Sequence, residues 1–125
     1  MPSSHPHRRF ADIIYNIDAI SRYTAGMDEA GFVSNDLVVD ATERCLSRIS
    51  EAAKKLGKLA EQLAANQPWP KIRDLGNHLR HEYDTIERPD LWRIVVDNLP
   101  SLHIDCEQAI KRVHEGLYRE PPKTT

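Results

Sequence analysis

A dense group of polar side chains lies between residues 71 and 83, in the stretch KIRDLGNHLRHEY. Side chains four and eight residues apart share one face of a helix, so a helix here would align Arg73, Asn77 and His81, with Arg80 at the margin. Arginine binds phosphate in a bidentate manner, and histidine transfers protons near neutral pH. Metal-independent RNA cleavage, in which the 2′-hydroxyl attacks the adjacent phosphate, requires these groups.

Other interpretations of this polar group stay open. A charged stripe on a helix is often only a solvated surface. His78 and His81, followed by Glu82, have a spacing that could hold a metal ion, but the chain lacks the Glu-x-x-His pairs of helical di-metal bundles. Cys45 and Cys106 have no zinc-ligand spacing, so we expect two free core thiols. The sequence therefore predicts no metal and no cofactor.

Length and charge restrict the class of protein. The chain has 125 residues, enough for a single domain, and we place its core at about residues 9–117. A formal net charge of −2 argues against non-specific coating of nucleic acid, although it allows a local basic cleft. The N-terminal residues lack the apolar stretch of a signal peptide, and no run approaches the length of a membrane span. We therefore expect a cytoplasmic protein without membrane contact.

Hydrophobic periodicity predicts an all-α fold, an antiparallel bundle of four or five helices. Apolar residues repeat at helical spacing over residues 10–20, and Asn16 lies away from that stripe. A second helix is predicted to start after the capping cluster at residues 34–36 and to end at Gly57. It carries two apolar rows and should be the central helix.

The polar group should itself lie on a helix that starts near Pro70, because proline suits a first helical turn. Its other face, formed by Ile72, Leu75 and Leu79, should pack against the core. Gly76 lowers helix propensity by roughly 1 kcal/mol, and it would let another helix approach closely.

A further helical region is predicted from Pro89 onward. Pro100 lies inside this apolar pattern and removes a backbone donor, so it should kink or divide the helix near Asn98. The last residues, 118–125, carry no pattern and read as a frayed tail.

These features resemble the HepT-like proteins of the HEPN superfamily, the toxin components of HepT/MNT toxin–antitoxin modules. The resemblance covers about residues 9–113, and its most specific markers are LRHEY at 79–83, DLW at 90–92 and NLP at 98–100. The family signature is an arginine, four to six residues, then a histidine, with a tyrosine two positions later. His81 and Tyr83 match this signature, whereas the usual arginine, five residues before the histidine, falls on Gly76.

The resemblance implies a homodimeric HEPN-like bundle in which two motif helices form one RNA cleft. It implies the toxin of a type VII system, a metal-independent endoribonuclease. His81 would then be the acid or base, Arg80 or Arg73 would stabilise the phosphate, and Asn77 would position it. His78 is a second candidate histidine.

The partner implied is an MNT-type nucleotidyltransferase antitoxin that transfers AMP to Tyr83. Because Gly76 replaces the usual arginine, a second interpretation is a catalytically weak HEPN domain that binds a partner or a nucleotide. A third is a structural bundle subunit with no site.

Overall fold

The computed structural model describes residues 5–80 and 86–115, and these ranges are helical and contain no strand. The helices are α1 (Pro6–Thr24), α2 (Glu29–Val33), α3 (Asp36–Leu56), α4 (Lys58–Leu63), α5 (Trp69–Arg80), α6 (Arg88–Arg93), a π-helical turn (Ile94–Asn98) and α7 (Leu99–His114). This confirms the predicted all-α fold. Within these ranges no helix is both long and apolar enough to cross a membrane.

Helix α3 is the centre of the bundle. It packs against α1 on one side and against α5 on another, while α1 also packs against α7. Both predicted apolar rows of α3 are buried from Cys45 onward: Cys45 and Ile49 belong to one, Leu46 and Ala53 to the other. At the start of the first row, Val38 and Ala41 are half-buried. Because two rows are covered by two different helices, the position of α5 depends directly on α3.

The two ends of α3 are fixed by local signals in the sequence. Asn35 caps the first turn, because its Oδ1 accepts a hydrogen bond from the Val38 N–H at 3.0 Å. Gly57 ends the helix with a φ of 57°, in the left-handed region that glycine adopts without strain. Helix α4 follows at once.

The start of α5 is anchored by Trp69. This side chain is fully buried, and its Nε1 donates to the Ala64 carbonyl at 2.7 Å. The Trp69 ring meets Phe10 of α1 edge-on, with the centroids 6.3 Å apart. Pro70 follows in the first turn, as predicted, so α5 begins at a point held by both α1 and the α4–α5 connection.

Pro100 divides the last helical region as predicted. Before it, Ile94–Asn98 forms a π-helical turn, in which the Leu99 N–H donates to the Ile94 carbonyl five residues back. Proline has no N–H, and its ring clashes with the carbonyl four residues earlier. The regular α-helical series of hydrogen bonds, from each N–H to the carbonyl four residues back, is therefore interrupted here.

Helices α1 and α7 are joined by His103. Its Nε2 lies 2.9 Å from Asp18 Oδ1, and its Nδ1 lies 2.9 Å from Glu107 Oε1. Partial burial by itself lowers the pKa of His103, but the hydrogen bonds to Glu107 and Asp18 together outweigh it, so the net pKa is raised. The protonated ring can donate to both carboxylates at once.

Asn16 departs from the sequence-based expectation. It was predicted to lie away from the buried stripe of α1, and this was wrong, because the side chain is only 5% exposed. Helix α1 packs against both α3 and α7, so its covered surface is wider than its apolar stripe.

Candidate active site

Ser50 of α3 fixes the helix that carries the polar motif. Its Oγ donates a hydrogen bond to the Arg73 carbonyl at 2.7 Å and accepts one from the Gly76 N–H at 3.0 Å. Both Ser50 and Gly76 are buried. The hydroxyl therefore bonds the backbone of α5 directly, and the close approach predicted from Gly76 is confirmed.

Position 76 has no room for a side chain beside Ser50. A Cβ built on Gly76 would lie 2.9 Å from Ser50 Oγ and 3.2 Å from Ser50 Cβ. An arginine there would have to push α5 away from α3 or displace the serine. The departure from the family signature at this position thus has a steric cause in the contact between the two helices.

Arg73 is directed towards α3 and α4 and away from Asn77. Its Nη2 donates to the Gly57 carbonyl at 2.7 Å, its Nη1 donates to Glu61 at 3.0 Å, and its Nε reaches the Ala53 carbonyl at 3.4 Å. The hydrogen bond from Arg73 lowers the pKa of Glu61. The guanidinium therefore satisfies carbonyls at the end of α3, and the predicted alignment with Asn77 was wrong for this group.

Arg80 and Asn77 do come together. Arg80 Nη2 donates to Asn77 Oδ1 at 2.8 Å, and both side chains are exposed at the C-terminal end of α5. A guanidinium has five N–H donors, and this contact holds one of them while the others make no hydrogen bond within the described residues. Asn77 thus orients a guanidinium that can still bind an anion.

Of the remaining motif residues, the structure describes only His78. His78 is exposed on α5, two residues before Arg80, where the helix ends. His81, Glu82 and Tyr83 lie outside the described residues, so the roles predicted for His81 and Tyr83, and the alternative metal site, stay predictions.

The apolar face of α5 is only half covered. Ile72, Leu75 and Leu79 pack against the core as predicted, but each keeps some exposure, whereas Trp69 and Gly76 are the buried residues of this helix. An apolar groove of about 230 Å³ separates α5 from the π-helical turn and α7. Its walls include the two α5 residues Ile72 and Leu75, with Ile94, Leu99 and Leu102 opposite.

Sequence reasoning missed Ser50 and Glu61 as residues that support the motif helix. One signal was available, because a glycine inside an amphipathic helix usually marks a close neighbour. The neighbour is 26 positions away in the chain, so no local spacing could identify it.

We expect Gly76→Arg to lower the free energy of unfolding by about 2 kcal/mol or more, through overpacking and the loss of the Ser50 hydrogen bonds. Adding Ser50→Gly removes the obstructing side chain, so the double variant should recover the part of this loss that is due to overpacking, but not the part due to the Ser50 hydrogen bonds. Urea denaturation of the two single variants and the double variant measures the coupling. A Gly76→Arg variant as stable as the wild type would contradict the close contact between α3 and α5.

Comparisons with known proteins identify the family. The family model described as "Ribonuclease HepT-like" matches residues 13–109. A protein named "Putative RNase MJ0125" from Methanocaldococcus jannaschii is 28% identical over 104 residues, which cover 83% of this chain and 90% of that protein. "Probable ribonuclease HepT" from Thermococcus cleftensis is 28% identical over 91 residues, 73% of this chain and 83% of that protein. No solved structure matches. Since the family model spans most of the chain, this protein belongs to the HepT-like ribonuclease family.

Proposed function

We propose that this protein is a metal-independent endoribonuclease whose site lies at the C-terminal end of α5. The observation that carries the proposal is the Arg80–Asn77 pair, an exposed guanidinium held in place one residue before His81. Membership of the HepT-like ribonuclease family supports RNA as the substrate. The site thus combines a phosphate-binding group with an adjacent proton-transfer group.

The reaction assigns one role to each side chain. His81 takes the proton of the 2′-hydroxyl, the 2′ oxygen bonds to phosphorus, and the bond from phosphorus to the 5′ oxygen breaks. The 5′ oxygen receives a proton, so the products carry a 2′,3′-cyclic phosphate and a free 5′-hydroxyl. Arg80 stabilises the negative charge on the phosphorus centre, and Asn77 positions Arg80.

A homodimer would complete this site. The groove along α5 and the half-buried Ile72 and Leu75 leave apolar surface that a second copy could cover. Consecutive residues of a helix point about 100° apart, so a helix that continued to His81 would direct Arg80 and His81 of the same chain away from each other. In a two-fold pair, Arg80 of one copy can face His81 of the other.

The first test is the chemistry of cleavage. Purified protein should cleave single-stranded RNA in EDTA and leave 2′,3′-cyclic phosphate ends. His81→Ala should reduce the rate about 100-fold or more, because it removes the proton-transfer group, while helical content stays unchanged. A requirement for a divalent ion would contradict the metal-independent mechanism. Absence of any cleavage would favour the alternative that the protein only binds a partner or a nucleotide. That alternative is supported by the lack of room for the signature arginine at Gly76.

The second test separates the two arginines. Arg73→Ala should lower the free energy of unfolding by about 2 kcal/mol, because it leaves backbone carbonyls at the end of α3 without donors. Arg80→Ala should change stability by less than about 0.5 kcal/mol, as for other exposed sites, but should reduce cleavage strongly. Urea denaturation and initial cleavage rates distinguish the two effects. Equal stability of both variants, with a larger rate loss for Arg73→Ala, would reverse the assignment.

Mixing Arg80→Ala with His81→Ala tests the shared cleft. If Arg80 serves the partner's histidine, a mixed dimer contains one complete site, and the mixture should regain activity that neither variant has. A mixture as inactive as its components would exclude a site shared between copies.

We further propose that the protein is the toxin of a toxin–antitoxin pair and that Tyr83 accepts AMP from an MNT-type nucleotidyltransferase. Tyr83 follows His81 by two positions, so a bulky anion on its hydroxyl would occupy the RNA cleft and repel phosphate. The covalent mark would thereby act through the same site as catalysis.

Co-expression with the nucleotidyltransferase should increase the mass of this chain by one or more adenylyl units. Tyr83→Phe should abolish the increase, because it removes the acceptor oxygen, and intact mass spectrometry measures it. A neutralised complex in which this chain keeps its unmodified mass would contradict the covalent mechanism.

A further inference from the structure

Positive charge is concentrated on one segment of this acidic protein. Residues 44–58, here called the basic segment, carry five cations and one carboxylate, although the whole chain has a net charge of −2. The cations are Arg44, Arg48, Lys54, Lys55 and Lys58; Lys54 is half-buried and the other four are exposed. Among the described residues none of the five forms an ion pair. This charge is therefore available to an external anion.

Part of the basic segment lines a polar cavity between α1 and α3. The cavity has a volume of about 260 Å³, and Arg48 and Lys55 of α3 face Arg9 of α1 across it. Asp12 and Glu51 also line it, so a simple anion would meet repulsion as well as attraction. A ligand that suits this lining has negative charge and hydrogen-bond donors together.

Within the part of the chain that the structure describes, two buried atoms in the cavity wall lack hydrogen-bond partners, one of them a donor and the other an acceptor. The Nε of Arg9 has no acceptor, and the Oδ1 of Asn16 has no donor, among the described residues. Asn16 Nδ2 donates to the Asp12 carbonyl at 2.8 Å, which fixes the orientation of the amide. A ribonucleotide offers both partners, because its phosphate oxygens accept and its 2′-hydroxyl donates.

The cavity lies at the level of the motif helix. Arg48 is two residues from Ser50, whose hydroxyl contacts α5 at Gly76. The cavity and the motif helix thus flank α3 at the same height, about one helix diameter of 10–12 Å apart. A single strand of nucleic acid that crossed the exposed face of α3 would pass from the cavity to the motif helix.

We infer that the basic segment, with Arg9 across the cavity, binds the backbone of the RNA strand that the motif helix cleaves. The identity of the ligand as RNA rests on the proposed function, whereas the surface rests on charge and geometry. An acidic protein partner would also be attracted by the exposed lysines. A protein also carries donors and acceptors, so the two unpartnered atoms fit either ligand, and membership of the HepT-like ribonuclease family favours RNA.

The experiment measures binding without cleavage. The probe is a fluorescein-labelled single-stranded RNA in which every 2′-hydroxyl is replaced by fluorine, so no nucleophile is present whichever residue is catalytic. Because fluorine cannot donate a hydrogen bond, this probe reports the phosphate contacts of the basic segment and not the contact of a 2′-hydroxyl with Asn16. Fluorescence anisotropy compares the wild type with Arg48→Ala/Lys55→Ala. The control, Arg8→Ala/Lys111→Ala, removes the same charge from exposed positions of α1 and α7. Thermal unfolding followed by circular dichroism checks that each variant is folded.

Each phosphate contact contributes about 0.7 to the slope of log K against log salt concentration. If the wild type and the double variant bind equally at 1 M salt, the double variant, which lacks two contacts, should bind about 25-fold more weakly than the wild type at 0.1 M salt. The slope of the double variant should therefore fall by about 1.4, and the control should bind like the wild type. Binding by the double variant equal to that of the wild type would overturn the inference, and so would an equal loss in the control.

Cleavage of natural RNA separates this inference from the proposed function. If the wild type binds the probe but cleaves no RNA, the proposed function fails and the surface assignment stands. If the wild type cleaves RNA and the double variant keeps the same KM, the surface assignment fails and the proposed function stands.

Discussion

The contact of the Ser50 hydroxyl with the backbone of α5 determines where the candidate site can be. The hydroxyl links the Arg73 carbonyl and the Gly76 N–H, and the glycine has no Cβ that would separate the helices. A buried hydroxyl that both donates and accepts is satisfied, so the contact adds specificity without leaving a polar group unpaired. The register of α5 on α3 follows from it, and with this register the faces on which Arg73, Asn77 and Arg80 lie.

The two arginines of the motif helix acquire different tasks from this register. Arg73 reaches the end of α3, where Gly57 leaves carbonyls that need donors, and Glu61 completes its environment. Arg80 lies about two turns further on, and among the described residues its hydrogen-bond partner is Asn77. One arginine is thus part of the packing between helices, and the other, of the same type, stays exposed as the proposed phosphate-binding group.

Net charge is a poor guide to the electrostatics of this chain. The carboxylates that make the whole chain acidic lie mainly outside the basic segment, which retains unpaired cations on the exposed face of α3. The strength of a local field depends on nearby charges, because salt screens charges more than about 10 Å away. A slightly acidic protein can therefore present a basic surface beside its candidate site.

Local patterns in the sequence were sufficient for the elements of the fold. The central helix, its caps at Asn35 and Gly57, the start of α5 at Pro70 and the division before Pro100 could all be predicted, because each depends on residues within a few positions of one another. The family could likewise be identified from short markers. Spacing and the resemblance together make His81, Asn77 and Arg80 the candidate residues.

Only the tertiary structure could decide which groups are free to do chemistry. The partner of Gly76 is 26 positions away, the carbonyl that holds Arg73 is 16 positions away, and Asn16 is buried by two other helices. Helical spacing gives the direction of a Cα–Cβ bond but not what a long side chain meets at its end, since that depends on how separate helices pack. The sequence thus determined which residues are candidates for the chemistry, and packing decided that Arg73 is held at the end of α3 whereas Arg80 is exposed.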